Sequence, residues 1–343
     1  MSTAAVAGAS GYAGAELVRL LHAHPDFELV TIAAGSNAGS TLGEVHPQFS
    51  NVPQLAQMVF SETTPEILDQ ADVVFMALPH GQSAALAQAL SPETRIVDLG
   101  ADFRLKDSAA WDMYYGGTHA GTWTYGMPEL PGQRELIASS TRVANPGCYA
   151  TALALGLAPL VAQGLVATSD IVIVAASGTS GAGRAASVNL LASEVVGSMS
   201  TYKIGGTHQH TPEVEQTLSS LGQGDVTLNF TPMLAPMSRG ILATISAHTS
   251  ASLLELRQAA ANWYDSEAFV TLLPDGQLPH TASTLGSNSV QIQIAKDERT
   301  SRATIVVALD NLLKGASGQA LQNANIMFGF AEQSGLSAIG VAP

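Results

Sequence analysis

Ala4-Ala5-Val6-Ala7-Gly8-Ala9-Ser10-Gly11-Tyr12-Ala13-Gly14 carries a short apolar run straight into a glycine-spaced turn. The residues that follow, Ala13 to His24, set Leu17, Leu20 and Leu21 on one helical face, and Pro25 ends the pattern. Strand, glycine turn and helix in immediate succession open a βαβ unit. The turn also has a chemical use. Glycine lets the backbone bend tightly and come close to a pyrophosphate, whose charge then meets the N–H groups and positive dipole end of the helix. The spacing is G-x-x-G-x-x-G, a departure from the commoner G-x-G-x-x-G, so its position between strand and helix is what gives it weight. Gly8, Ser10, Gly11, Tyr12, Ala13 and Gly14 are therefore candidate dinucleotide contacts; the competing reading is a tight turn with no ligand.

Working outward, apolar strand-like runs at Leu29–Ala33, Val73–Leu78 and Ile96–Leu99 alternate with a helical pattern at Gln82–Leu90. That rhythm predicts an α/β, Rossmann-type parallel sheet whose strands are covered on both faces. After the second strand stand Gly35, Ser36 and Asn37, where an NAD enzyme would place a carboxylate on the ribose hydroxyls. With no carboxylate to repel a 2'-phosphate, NADP(H) is the expected cofactor, with Ser36 and Asn37 beside the ribose, although no arginine stands there to clamp the phosphate. Beyond residue 170 the pattern changes. Val226, Leu228 and Phe230, then Ile241, Ala243 and Ile245, then Val290, Ile292 and Ile294 alternate with polar residues. This predicts a second α+β domain with a mostly antiparallel or mixed sheet and helices on one side, beginning near Asn145–Cys148. Gly318 to Ser334 reads as a final helix that the residues alone assign to neither domain.

Composition sets the outer bounds. A chain of 343 residues suits two domains, at roughly 100 to 200 residues each. Charged residues are only 12% of the total, so much of the surface should be apolar or covered, which points to a subunit interface. The formal charge of −14 counts against nucleic acid and anionic membrane as partners. Cys148 is the only cysteine, so neither an internal disulfide nor a thiolate metal cage can form, and a reducing compartment is expected. No basic n-region with an apolar h-region opens the chain, and no apolar run is long enough to span a bilayer. A soluble, cytoplasmic protein is the expectation.

Cys148 lies in Ala144-Asn145-Pro146-Gly147-Cys148-Tyr149, just ahead of an apolar helical stretch from Ala150 to about Ala162. N–H groups and the dipole at a helix tip stabilise a thiolate, which marks this cysteine as a nucleophile; an inert buried cysteine is the alternative. The densest source of a histidine partner is Gly205-Gly206-Thr207-His208-Gln209-His210-Thr211-Pro212-Glu213, read as a loop entering a helix with Pro212 at its first position. A His-x-His pair also suggests a metal, but no third ligand is in view and none is expected. A second role open to His210 and Glu213 is simply to shape the loop. Ser177-Gly178-Thr179-Ser180-Gly181-Ala182-Gly183-Arg184, following the strand Ile171–Ala176, can bring backbone close to a ligand, and Arg104, Arg184 and Arg239 are candidate anion contacts.

With these residues assembled, the chain resembles the N-acetyl-gamma-glutamyl-phosphate reductases of arginine biosynthesis, which are related to the aspartate-semialdehyde dehydrogenases. The likeness covers nearly the whole length and rests on Gly8–Gly14, Asp98–Arg104, Asn145–Tyr149, Ser177–Arg184, His208–Glu213 and Asn311–Gln319. It implies that Cys148 is the nucleophile, that His208 is its acid–base partner, and that His210 and Glu213 support the substrate. Substrate contacts are expected at Arg104, Asn145, Arg184, His210 and Arg239, and cofactor contacts also at Ser180, Gly181 and Gln319. Gln319 stands where the related dehydrogenases carry asparagine, and Asn37 replaces the usual basic residue after Ser36. The resemblance further implies an NADP-binding domain of residues 1–147 to which 312–343 return, and a catalytic and oligomerisation domain of residues 148–311. The implied reaction cuts an acyl phosphate, holds the acyl group as a cysteine thioester, and reduces it to N-acetyl-glutamate semialdehyde with release of inorganic phosphate, in a homodimer or homotetramer. The competing functions are an aspartate-semialdehyde dehydrogenase, which would bind a free amino group, and a non-catalytic NADP-binding redox sensor with Cys148 as its thiol. A cysteine hydrolase would leave Gly8–Gly14 unexplained.

Overall fold

The computed structural model describes residues 1–222 and 224–342. They form two compact units. The first comprises Met1–Lys106, Gly117–Pro146 and Ala316–Leu336. The second comprises Asp107–Gly116, Gly147–Gly315 and the residues from Ser337 on. This division differs from the expected 1–147 with 312–343 and 148–311 at four places. Asp107–Gly116, Gly147, residues 312–315 and the segment from Ser337 all pack with the second unit. In the last case the amide of Asn288 donates to Ser337 O at 2.8 Å and that of Val341 to Leu285 O at 2.8 Å, tying the chain end down by backbone bonds that its composition does not announce.

In the first unit, β1 (Ser2–Ala7), β2 (Phe27–Ala33), β3 (Val73–Met76), β4 (Arg95–Asp98), β5 (Thr124–Tyr125) and β6 (Arg142–Ala144) make one sheet in the order β2-β1-β3-β4-β6-β5. Every pairing is parallel. Ala4–Ala7 and Val73–Met76 are wholly buried, as befits strands covered on both faces. The strand order reverses between β1 and β3, the crevice where open α/β sheets take ligands, and the glycine turn leaves β1 there. The final helix runs Gly318–Phe328, shorter than the expected Gly318–Ser334. Gly329, at φ +68, ends it in the left-handed conformation that glycine adopts most cheaply.

The second unit holds β7 (Ile171–Ser177), β8 (Ser200–Thr201), β9 (Leu228–Leu234), β10 (Ile241–His248), β11 (Val270–Leu272), β12 (Val290–Asp297) and β13 (Arg302–Leu309). Their order is β11-β12-β13-β10-β7-β9-β8, with parallel pairs at β11–β12 and β7–β9 and antiparallel pairs elsewhere. The sheet is mixed, as the alternating patterns require. On β10, Ile241, Ala243, Ile245 and Ala247 are buried while the residues between them are partly or fully exposed. The helix Cys148–Ala162 lies on the buried face, where a Cβ on Gly156 would come within 2.9 Å of Val307 and 3.0 Å of Ile245. It is apolar all round and buried from Tyr149 to Val161, the mark of a central helix. Pro159 removes the N–H that would bond Leu155 O; the Tyr264 hydroxyl donates to that carbonyl instead.

Candidate active site

The turn after β1 is held mainly by backbone. The amides of Gly8 and Ala9 both donate to Ala33 O, at 2.9 and 3.1 Å, and Gly11 N donates to Gly8 O at 3.1 Å. Gly8 sits at φ +81, and a Cβ there would lie 2.2 Å from Ala77 O, just past β3. A Cβ on Gly14 would lie 2.3 Å from Gly8 O. Gly11 caps the helix Tyr12–His22 with no side-chain cap bond, so the positive end of that helix is not satisfied by its own cap residue. Gly35 has nothing within 4 Å of its absent Cβ, and Gly35 and Ser36 are exposed with no carboxylate among residues 33 to 43. This uncharged, backbone-built edge fits a dinucleotide phosphate and tolerates a 2'-phosphate. It is buttressed from below: His46 bonds Ala9 O at 3.1 Å, and the Ser317 hydroxyl donates to Ala13 O at 2.8 Å.

Other expected contacts in the first unit are anchored to the backbone around them. Arg104 is buried, donating from Nε to Asn145 O at 2.7 Å and from Nη2 to Leu99 O at 2.7 Å. Asn145 donates to Ala316 O at 3.1 Å and accepts from Asn323 at 3.0 Å. Gln319 is wholly buried and donates to Gly126 O at 2.8 Å, while its Oε1 finds no hydrogen-bond partner. Asp98, beneath this group, accepts from Ser83 at 2.7 Å and from Gly100 N at 2.9 Å. Its burial pushes its carboxyl up to about 6, against the pull of those two donors and of Arg104.

The second unit gathers the surroundings of Cys148. Cys148 is the first residue of its helix, with Gly147 as cap and no side-chain cap bond. Gly315 packs on it so closely that a Cβ there would fall 2.8 Å from Cys148 Cβ. Wholly buried Glu213 accepts the Gly147 amide at 2.9 Å, reaching across 66 residues of sequence. The ring of His210 covers Gly147, where a Cβ would lie 2.3 Å from Nε2. His210 begins the helix His210–Ser219, so Pro212 is its third residue rather than its first. Proline is tolerated there because the first-turn N–H groups have no partner within the helix.

His208 is buried among aromatic rings, edge-on to Tyr149 at 5.4 Å, Phe230 at 5.1 Å, Tyr202 at 5.7 Å and His210 at 4.9 Å. Burial first, then the charges of His210 and Lys203, hold it down to about 2, so it is neutral at pH 7. Its Nδ1 accepts the His210 amide at 3.1 Å, which leaves the proton on Nε2. Tyr202 donates to the Tyr149 hydroxyl at 3.2 Å; burial pushes the Tyr202 phenol up to about 12 and Tyr149 further upward, so both stay protonated.

The loop after β7 is laid along residues 237–240. The amides of Gly178, Thr179 and Ser180 donate to Gly240 O, Met237 O and Ser238 O at 2.9, 2.9 and 3.1 Å. Ser180, Gly181 and Arg239 are thereby brought together, while Arg184 is exposed further along. Buried Asp310 pairs with Arg239 at 3.7 Å, and Asn311 donates to Ser180 Oγ at 3.0 Å. Tyr149, Tyr202, Lys203 and Asp310 were not among the expected site residues. Asp310 heads the Asn311–Gln319 stretch, but nothing in the sequence ties it to Arg239; Lys203 carries no pattern at all.

Family models described as "Semialdehyde dehydrogenase, NAD binding domain" and "Semialdehyde dehydrogenase, dimerisation domain" match residues 3–140 and 148–311. The N-acetyl-gamma-glutamyl-phosphate reductase of Acidothermus cellulolyticus is 60% identical over 341 residues, covering 99% of this chain and 98% of its own. The protein of the same name from Thermobifida fusca is 54% identical, covering 99% of each chain. Among solved structures, aspartate semialdehyde dehydrogenase II of Vibrio cholerae superposes with a TM-score of 0.69 at 16% identity, covering 96% of this chain and 98% of its own. The Candida albicans aspartate semialdehyde dehydrogenase with NADP does so with a TM-score of 0.65 at 18% identity, covering 96% and 98%. Those two likenesses speak to the fold. The 60% match, over essentially complete chains, speaks to the family: this chain belongs to the N-acetyl-gamma-glutamyl-phosphate reductases.

Proposed function

We propose that the chain catalyses the NADPH-dependent reduction of N-acetyl-gamma-glutamyl phosphate to N-acetyl-glutamate semialdehyde and phosphate, the arginine-biosynthetic reaction named for its relatives. The observation that carries the mechanism is the seating of Cys148 at the tip of a 15-residue helix with Glu213 and His210 closed on Gly147.

The first unit holds NADP(H) through Gly8, Ser10, Gly11, Tyr12, Ala13 and Gly14, with Ser36 and Asn37 at the ribose and Gln319 as a further contact. When bound, this cofactor supplies the hydride. Cys148, its thiolate stabilised by the helix dipole, attacks the acyl carbon; the C–O bond to phosphate breaks and a thioester remains. Glu213 positions the attack by fixing the Gly147 amide, and so the backbone that carries the sulfur. Arg239, with Ser180 near it, and Arg184 further along the same loop offer donors to the departing phosphate. His208, neutral with its proton on Nε2, hydrogen-bonds the carbonyl oxygen as negative charge develops there; when that oxyanion re-forms the carbonyl the Cys148 thiolate leaves, the aldehyde is released and the proton stays on His208. Arg104 and Asn145 serve the substrate by bracing the backbone ahead of Pro146.

Copies pair through the sheet of the second unit, where Val172 and Val174 of β7 are about 40% exposed, giving a homodimer or a pair of dimers in the reducing cytoplasm. Among the described residues no helix is long and apolar enough to cross a membrane. The relatives at 54 to 60% identity favour the acetylated substrate over the aspartyl one. The test is the reverse reaction, NADP reduction driven by the aldehyde and phosphate, in wild type and Cys148→Ser. A loss of about 10⁴-fold or more in the variant is expected; comparable turnover in the two proteins rejects the thioester route.

A further inference from the structure

The mechanism above leaves one cation beside the Cys148 site without a task. Lys203 precedes the His208–His210 loop, and its ammonium donates to the side chain of Gln209, which lies between the two histidines. Its backbone stands at φ +44, in the left-handed region that a long L side chain takes up only when its surroundings impose it. The surroundings do so here. Tyr202 is anchored by its hydroxyl on Tyr149 and by its amide on Pro232 O, both at 3.2 Å, and Gly205 and Gly206 turn the chain back at φ +74 and +79. Strain of this kind persists where a side chain must be presented in one direction.

Charge strengthens the case. The chain has 28 acidic residues against 14 lysines and arginines, yet among the described residues no carboxylate pairs with Lys203. Its charge is felt at His208, while the residue itself is exposed. An exposed cation that acts on a buried histidine, in an acidic protein and with no carboxylate paired to it among the described residues, is placed for an anion that arrives from outside.

We propose that Lys203 is a substrate-binding residue whose ammonium takes an oxyanion of the reactant, either the phosphoryl group or the carboxylate of the acyl chain. This rests on the reaction proposed above, and running that reaction in reverse separates the two oxyanions, because phosphate and aldehyde are then distinct substrates. Lys203→Asn removes the charge but accepts the left-handed backbone; Lys203→Arg keeps the charge. The Asn variant should raise KM for one of the two substrates by about tenfold or more, with kcat changing less, and Arg should recover part of the loss. A rise confined to phosphate assigns the phosphoryl group, and one confined to aldehyde assigns the carboxylate. Both KM values within about twofold of wild type, or a loss in kcat alone, overturn the proposal.

A second measurement needs no turnover: protection of Cys148 from iodoacetamide by inorganic phosphate and by N-acetylglutamate. Protection by one of them in wild type and its loss in the Asn variant supports Lys203 even if the wild type proves inactive, an outcome that would sink the reaction instead. Equal protection in both proteins, or none in either, counts against Lys203.

Discussion

The turn at Gly8–Gly14 and the cluster on Gly147 both prepare a helix N-terminus capped by glycine without a side-chain bond, and they are made in opposite ways. The first is built from backbone. Its bonds and close approaches run among the backbone of Gly8, Gly11, Ala33 and Ala77, with His46 and Ser317 reaching in to Ala9 O and Ala13 O. The second is built from side chains: Glu213, His210 and His208 reach Gly147 and Tyr149 across some sixty residues of chain. A site of backbone should fail when volume is added, and a site of side chains should fail when a hydrogen-bonding atom is taken away.

Gly14→Ala tests the first half and should have the larger effect of the two. The added Cβ would stand 2.3 Å from Gly8 O and 2.6 Å from Ala9 Cα, both backbone atoms with no room to retreat. Crowding of this kind costs about 1–3 kcal/mol or more, and here the displaced atoms are the ones aimed at the dinucleotide. NADPH affinity, measured by fluorescence titration, should fall by about 100-fold or more. Gly11→Ala is the control. Its Cβ meets only Gly8 O, at 3.4 Å, and should cost about tenfold at most. If the two variants bind NADPH equally well, the turn is not the phosphate site.

Glu213→Ala tests the second half. Removing a wholly buried acceptor strands the Gly147 amide, at a cost of about 1–3 kcal/mol. We expect kcat to fall roughly 10- to 100-fold with NADPH affinity unchanged. Glu213→Gln keeps an oxygen in place and should recover most of the loss. An Ala variant that keeps wild-type kcat would show that Gly147 needs no such anchor.

The same contrast explains what the residues disclosed in advance. The parallel sheet and its glycine turn were legible because both are local: a strand, a turn and a helix within about twenty residues leave a periodic trace. The mixed sheet was legible from alternation, though its order was not, since which strand lies beside β7 is decided by packing. Cys148 was legible as a helix-tip residue from Asn145-Pro146-Gly147, but that Glu213 would grip Gly147 was not. No spacing records a contact across 66 residues. Arg104 was legible as a scarce cation in an acidic chain, but its burial and its bonds to two carbonyls were not. Lys203 escaped notice because its significance lies in a backbone angle.

The smaller effects concern pH, where the two units should pull in opposite directions. In the second, His208 is held near 2 by burial, well below its ordinary 6.5. As pH drops below 6.5 the unfolded chain takes up a proton that the folded one refuses, so stability declines, with a slope of at most about 1.4 kcal/mol per pH unit. His208→Gln, which keeps an acceptor for the His210 amide, should flatten the decline between about pH 6.5 and 4.5 in chemical-denaturation curves. A wild-type decline that survives the substitution unchanged would locate its origin elsewhere.

In the first unit, Asp98 behaves in the reverse sense. Its folded carboxyl titrates at about 6 against an ordinary 3.8, so between those values the folded state holds a proton that the unfolded state has lost. Its contribution is therefore fully present below pH 3.8 and is lost as pH rises through 6. Asp98→Asn keeps an oxygen for Ser83 Oγ and Gly100 N but cannot ionise. Whatever the new amide costs at Oδ2, which has no hydrogen-bond partner, that cost does not depend on pH. The informative quantity is thus the difference in stability between variant and wild type, which should shift in favour of the variant by about 1–3 kcal/mol on going from pH 4 to pH 7. Parallel curves across that range would mean that Asp98 is ionised throughout in the folded protein, with Arg104 outweighing its burial.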